Sequence, residues 1–161
     1  MGTLIACRIA THADAPQLAQ MRWDFRLEES PGATVHDHGS FVASCAEFLR
    51  RGLADNRWAY WIAVEGGTII SHIYIQRIEK VPKPNRLADA FGYVTNVYTR
   101  PAYRGQGIGT QLMNQALQWA HLQDFEELIV WPSETSVNWY KRFGFAGDPE
   151  MLNYSVRPYV L

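Results

Sequence analysis

The chain has 161 residues, a length typical of one domain and sufficient to bury a hydrophobic core without disulfides or metals. Its 15 Lys and Arg against 16 Asp and Glu give a net charge of −1, which argues against general attraction to nucleic acid or an anionic membrane. Cys7 and Cys45 lie far apart and no hydrophobic leader stands at residues 1–4, so we expect free thiols and a cytoplasmic protein. No apolar run reaches the roughly 18 to 20 residues of a membrane span.

In chain order, the pattern of apolar residues predicts an alternation of strands and helices. Strands are predicted where short β-branched and aromatic runs lie between turn residues, and helices where apolar residues recur at three- and four-residue steps. The predicted elements are a strand at 4–10, a helix from about Asp14 to Glu29, a helix from about Ser40 to Leu53, a hairpin of 58–65 and 68–78, a strand at 91–99, a helix at 108–122, a strand at 128–131, a short helix at 137–143, and a last strand through Met151, Tyr154 and Val156.

The order β-α-α-β-β-β-α-β-α-β indicates a single α/β domain over residues 1–161. The hairpin and the strand at 91–99 are expected to form an antiparallel meander. The strands at 91–99 and 128–131 are joined through a helix, and such crossovers are right-handed, so these two strands should be parallel. The sequence therefore predicts a mixed, mostly antiparallel sheet.

Two polar segments invite functional interpretations. His36 and His38 resemble a metal-binding pair, but no cysteine or further histidine stands nearby at ligand spacing, so we interpret 34–39 as a polar loop and predict no metal site. Lys80–Arg86 contains two prolines and three cations, which is typical of a loop, and we expect it to be mobile or to overhang a ligand.

The stretch from Tyr98 to Thr110 leads from a predicted strand into a predicted helix and contains three glycines. Glycines let the backbone approach a ligand closely, and the unpaired N–H groups at a helix start favour an anion. A P-loop would place a lysine before Thr110, and none is present. A Rossmann fingerprint has the spacing Gly-x-Gly-x-x-Gly near the first strand, whereas this turn follows several strands. The turn thus predicts a phosphate site of another kind.

The segment Arg104-Gly105-Gln106-Gly107-Ile108-Gly109 resembles the acetyl-CoA signature Arg/Gln-x-x-Gly-x-Gly/Ala of the GNAT (GCN-five-related N-acetyltransferase) family. The preceding residues 96–103 resemble the lead found in bacterial members, and Tyr140–Phe145 resembles the family's late Tyr-x-x-x-Gly-Phe motif. The resemblance implies a GNAT-like fold with a splayed pair of parallel strands. It also implies an N-acetyltransferase that moves an acetyl group from acetyl-CoA to a primary amine in a ternary complex.

The same resemblance implies roles for single residues. The coenzyme pyrophosphate would lie on the turn and the pantetheine arm along the strand before it, with the Val97 N–H polarising the acetyl carbonyl and Tyr140 protonating the departing thiolate. Ser133 stands where many members carry an asparagine that touches the pantetheine. The implied coenzyme-binding residues are Val97, Tyr98, Thr99, Arg104, Gly105, Gln106, Gly107, Ile108, Gly109, Thr110, Ser133 and Tyr140.

Several alternatives stay open at this point. Tyr140 is also interpretable as a core tyrosine. The domain is also interpretable as a non-catalytic acyl-CoA-binding or regulatory module. The acceptor could be a small-molecule amine, a protein N-terminus or a lysine. Glu28 and Glu29 are candidates for recognising a cationic amine or form a solvated helix end, and one or two of the abundant aromatic residues are candidates for an acceptor pocket. The family commonly forms homodimers. The general base has five candidates: His72, Asp89, Tyr93, Thr95 and Glu134.

Overall fold

A computed structural model describes residues 2–33, 36–147, 152 and 154–156. The chain divides into two compact units, residues 1–131 and 132–161. The first unit contains five strands and three helices, and the described part of the second contains one short helix. The elements are β1 (Ile5–Ile9), α1 (Ala15–Glu29), α2 (His38–Ala54), β2 (Trp58–Glu65), β3 (Thr68–Glu79), β4 (Ala90–Thr99), α3 (Ile108–Leu122), β5 (Leu128–Val130) and α4 (Val137–Lys141), with 3₁₀ turns at His12–Asp14 and Pro101–Tyr103.

The sheet has the order β1-β2-β3-β4-β5, antiparallel throughout except for the parallel pair β4 and β5. This confirms the predicted mixed, mostly antiparallel sheet. Alternation along β2 places Tyr60 and Ile62 in the core beneath α1 and α2 and turns Trp61 to the opposite face. There the Trp61 ring meets Trp119 of α3 at 6.3 Å. Helices therefore cover both faces of the sheet.

The second helix starts earlier than predicted. The Asp37 carboxylate accepts a hydrogen bond from the Ser40 N–H at 3.0 Å, so Asp37 is the N-cap and His38 lies in the first turn. The His38 ring is 2.6 Å from the Gln20 amide oxygen and packs edge-on against Trp23. The polar-loop interpretation of His38 was therefore wrong, because Asp37 caps a helix that begins at His38.

The predicted last strand falls partly outside the described residues, since Met151 is not among them. Tyr154 and Val156 are described, belong to no strand and are exposed. Within the described residues, no helix is both long and apolar enough to cross a membrane. In the same part of the chain, no three His, Cys, Asp or Glu side chains are grouped so as to hold a metal ion.

The loop between β3 and β4 is anchored by charge. The Asp89 carboxylate is almost fully buried and lies 3.8 Å from Lys80 Nζ, 3.6 Å from Lys83 Nζ and 3.3 Å from Arg86 Nε. Lys80 also pairs with Glu126. This loop precedes β4, whereas the glycine turn follows β4, so the two lie at opposite ends of a ten-residue strand. Lys80–Arg86 therefore lies at the end of β4 away from the glycine turn, and its position over a ligand stays a prediction.

Candidate active site

The parallel pair β4 and β5 separates partway along β4. Gly92, Tyr93 and Val94 pair with 128–130, after which β4 continues for five residues beside β3 alone. On its other edge, residues 95–99 have no partner in any described strand. An open strand edge presents N–H and C=O groups that an extended ligand can use. The residues predicted to hold the pantetheine arm, Val97, Tyr98 and Thr99, lie on this edge.

A β-bulge lies in the middle of this open stretch. Thr95 is opposite Tyr74 and Tyr98 is opposite His72, so the two residues Asn96 and Val97 face the single residue between them on β3. Asn96 has a φ of +50°, a left-handed conformation that is unusual for a residue with a Cβ. Bulges redirect the backbone groups of a strand. Val97, the predicted oxyanion donor, thus lies at the one irregular point of the open edge.

His72 lies directly beneath the bulge. Its side chain is fully buried, and Nδ1 is 2.5 Å from the Asn96 carbonyl oxygen. Burial lowers the pKa of His72 from 6.5 to about 4, and the positive charges of Arg22 and Arg100 act in the same direction. The imidazole is therefore neutral near pH 7 and Nδ1–H donates to the carbonyl. A group with so low a pKa is a weak proton acceptor, which argues against His72 as the general base.

The glycine turn is shaped to accept a ligand. Gly105 and Gly107 have φ values of +73° and +76°, and a Cβ added at either would meet no atom within 4 Å. Gly107 is the N-cap of the 15-residue helix α3, so the N–H groups of the next residues, from Ile108 to Thr110, point out of the helix start. Open space beside several convergent N–H groups fits a diphosphate.

Arg104, the first residue of the motif, points away from this turn. Its guanidinium makes a two-pronged contact with the Glu28 carboxylate at 2.6 and 3.0 Å, and its Nε donates to the Thr99 carbonyl at 2.8 Å. The Tyr98 hydroxyl also donates to Glu28, at 3.2 Å. Arg104 holds the pKa of Glu28 below its usual range. Glu28 is therefore engaged in linking α1 to the end of β4, which disfavours its interpretation as a free amine-recognition residue.

The aromatic residues divide between core and surface. Tyr60 is fully buried, and Trp58 stacks on it at 5.8 Å as part of the packing beneath α1 and α2. Trp131, directly after β5, is 60% exposed and packs edge-on against Tyr93 of β4 at 4.9 Å. Since Tyr93 lies in the last part of β4 that pairs with β5, this aromatic pair stands where the two strands begin to separate.

Tyr140 and Ser133 belong to the second unit. Tyr140 lies in α4, is 7% exposed and contacts the rings of Trp139 and Phe145. Ser133 lies before α4, with Oγ 2.9 Å from the Ser136 hydroxyl and its carbonyl accepting from the Ser136 N–H. Gly144 has the left-handed φ expected for the end of the Tyr-x-x-x-Gly-Phe segment.

Comparison with known proteins identifies the family. The model of the acetyltransferase (GNAT) family matches residues 16–145, and the chain therefore belongs to this family. An uncharacterized N-acetyltransferase, ycf52, of Gracilaria tenuistipitata var. liui is 32% identical over 57 residues, which are 35% of this chain and 31% of that relative. The match thus spans about a third of the relative's length.

Several solved structures have a similar fold over nearly the whole length of this chain. A predicted acetyltransferase from Clostridium acetobutylicum, determined with acetyl-CoA, has a TM-score of 0.79 and 25% identity, covering 95% of this chain and 97% of its own. A GCN5-related N-acetyltransferase from Ralstonia eutropha JMP134 has a TM-score of 0.72 and 26% identity, covering 96% of this chain and 100% of its own. An aminoglycoside acetyltransferase from a soil metagenome shares the fold, with a TM-score of 0.71 and 17% identity. The match covers 98% of this chain and 96% of its own.

Proposed function

We propose that the protein transfers an acetyl group from acetyl-CoA to a primary amine by direct attack within a ternary complex. The observation that carries this proposal is the continuous arrangement of an open strand edge, a bulge at Asn96-Val97 and a glycine turn at the start of α3. The Clostridium structure, which contains acetyl-CoA on a similar fold, supports the choice of donor.

Backbone groups supply most of the proposed donor site. The N–H groups from Gly105 to Thr110 would hold the diphosphate, because they converge at a helix start with open space beside them. Val97, Tyr98 and Thr99 would bond the pantetheine arm along the unpaired edge of β4. Ser133 is a further proposed contact of that arm.

Two groups are proposed to act on the reacting atoms. The amine nitrogen forms a bond to the acetyl carbon while the carbon–sulfur bond breaks, and the Val97 N–H would stabilise the negative charge that develops on the carbonyl oxygen. Tyr140, by its place in the Tyr-x-x-x-Gly-Phe motif, would donate its hydroxyl proton to the departing sulfur. The attacking nitrogen releases a proton, so the tyrosinate can be reprotonated and the turnover balances.

The acceptor is proposed to carry an apolar or aromatic body. Trp131 is exposed and packs beside Tyr93, at the point where β4 and β5 separate. Tyr93 lies three residues before the bulge. A large exposed aromatic side chain next to unpaired backbone is suited to packing against a ligand. A small-molecule amine with such a body is the acceptor that we propose.

The proposal is tested with the purified protein, acetyl-CoA and a panel of small-molecule and peptide amines, with mass spectrometry for the product and thiol release for the rate. Tyr140→Phe should lower kcat by about 10²- to 10⁴-fold, because the proposed proton donor is removed.

Tyr60→Phe is the matched control. Tyr60 is also buried, and its hydroxyl has no hydrogen-bond partner among the described residues, so loss of this oxygen should leave kcat unchanged. Acetyl-CoA binding without turnover of any amine would instead indicate a binding or regulatory module. A Tyr140→Phe variant with the activity of the wild type would exclude this residue as the acid.

A further inference from the structure

A buried side chain on β3 contacts the backbone of the bulge in β4. Asn96 adopts a left-handed conformation that costs conformational energy for any residue with a Cβ, so surrounding contacts must maintain it. The Asn96 carbonyl is 2.5 Å from His72 Nδ1, and His72 is fully buried. In the register, His72 pairs with Tyr98, just beyond the bulge, so this bond ties the irregular residue back to β3.

We infer that His72 is a positioning residue for catalysis, whose Nδ1–H holds the Asn96 carbonyl and thereby directs the Val97 N–H toward the open edge of β4. The inference rests on the proposed function for the role of Val97. It adds a side chain outside the family's acetyl-CoA motif, on a different strand, that sets the geometry of the proposed oxyanion donor.

The surroundings of His72 keep the ring neutral and in one tautomer. Tyr74 on its own strand and Tyr98 on β4 pack their rings at 4.7 and 5.7 Å. The charged groups that act on it are Arg22 of α1 and Arg100 after β4, and both are cations that disfavour protonation. Nε2 is buried and has no hydrogen-bond partner among the described residues. A proton on Nε2 would therefore be buried without an acceptor, whereas a proton on Nδ1 has the Asn96 carbonyl.

The effect of this contact is expected to be larger in kcat than in coenzyme affinity. The diphosphate site is built from the turn at 105–110, which follows the bulge by several residues and shares no hydrogen bond with His72. A displaced bulge would move the Val97 N–H away from the carbonyl oxygen that it stabilises, and misplacement by about 1 Å can cost roughly 10²-fold in rate.

The test compares three variants with the wild type. His72→Leu removes the donor and should lower kcat by roughly 10- to 100-fold, with a smaller change in the KM for acetyl-CoA. His72→Asn carries a side-chain N–H at the δ position and should retain most of the rate. Tyr74→Phe is the matched control, since it changes a buried neighbour on the same face whose hydroxyl has no hydrogen-bond partner among the described residues.

A spectroscopic measurement makes the test independent of turnover. In ¹⁵N NMR of the intact chain, we expect His72 to give the neutral Nδ1–H tautomer, and His72→Leu to shift the Val97 amide resonance while the Gly107 amide is unaffected. If His72→Leu does not fold, His72→Gln replaces it, because glutamine places its amide one bond farther from the backbone.

The outcomes separate this inference from the proposed function. Wild-type kcat in the Leu or Gln variant, an Nε2–H tautomer, or an unmoved Val97 amide would overturn the positioning role. If the wild type acetylates no amine in the panel, the proposed function fails, and the tautomer and the Val97 resonance still decide whether His72 holds the bulge.

Discussion

Gly107→Ala tests whether the glycine turn binds the coenzyme or merely starts a helix. Gly107 has a φ of +76°, and an added Cβ would meet no protein atom within 4 Å. The methyl group therefore causes no clash within the protein. It strains the backbone, by about 1–2 kcal/mol for a left-handed residue with a Cβ, and it occupies the space in which we place the diphosphate.

Gly67→Ala provides a closely matched control. Gly67 has a φ of +81° in the turn between β2 and β3, and a Cβ there also meets nothing within 4 Å. The two variants should lose similar free energy of unfolding, measured by urea denaturation, because the backbone strain is the same. Only Gly107→Ala should lose affinity for acetyl-CoA.

The size of that loss follows from one displaced hydrogen bond. A hydrogen bond to a charged group contributes about 1.5–3 kcal/mol, which corresponds to a rise of roughly 10- to 150-fold in the dissociation constant. Isothermal titration calorimetry with acetyl-CoA measures it directly for both variants. Equal affinities of Gly107→Ala and Gly67→Ala would refute the assignment of the diphosphate to this turn.

Two further predictions concern charged and titratable groups. Glu28→Gln removes the negative charge that pairs with Arg104. Since both side chains are about 40% exposed, this change should cost less than about 1 kcal/mol of stability while raising the KM for acetyl-CoA. Glu29→Gln, which removes the charge that pairs with Arg26 inside α1, should leave the KM unchanged. The pKa of His72 is lowered to about 4, so between pH 6.5 and 4 the unfolded chain binds the proton and the folded chain does not. The free energy of unfolding should fall by up to about 3 kcal/mol as the pH drops through this window. In His72→Asn, the free energy of unfolding measured by urea denaturation should depend less steeply on pH.

Local chemistry accounts for the elements that could be predicted from the sequence. The hairpin followed from Gly66-Gly67 between two β-branched runs, and both glycines have the positive φ that such a turn requires. The parallel pairing of β4 and β5 followed from the handedness of a crossover through α3. The start of α2 depends on Asp37, which stands three residues before the N–H that it caps and is a common N-cap residue, whereas apolar periodicity begins only at Phe41.

Contacts between distant parts of the chain account for what could not be predicted. Arg104 and Glu28 are 76 positions apart, and no local pattern indicates that the first residue of the motif turns to α1 instead of the ligand. His72 and Asn96 are 24 positions apart, and the bulge that joins them depends on the register of β3 and β4. Periodicity places a strand but does not reveal one extra residue within it.

That extra residue links the two halves of the proposed site. Thr95 and Tyr98 lie on the same face of the sheet, although three positions separate them and strict alternation would put them on opposite faces. Without the bulge, Tyr98 would turn toward α3 and its hydroxyl would lose the hydrogen bond to Glu28. Glu28 would then retain only its contact with Arg104. The bulge therefore does more than redirect the Val97 N–H. It also sets which face the end of β4 presents to α1, and so where the chain enters the glycine turn at Arg104.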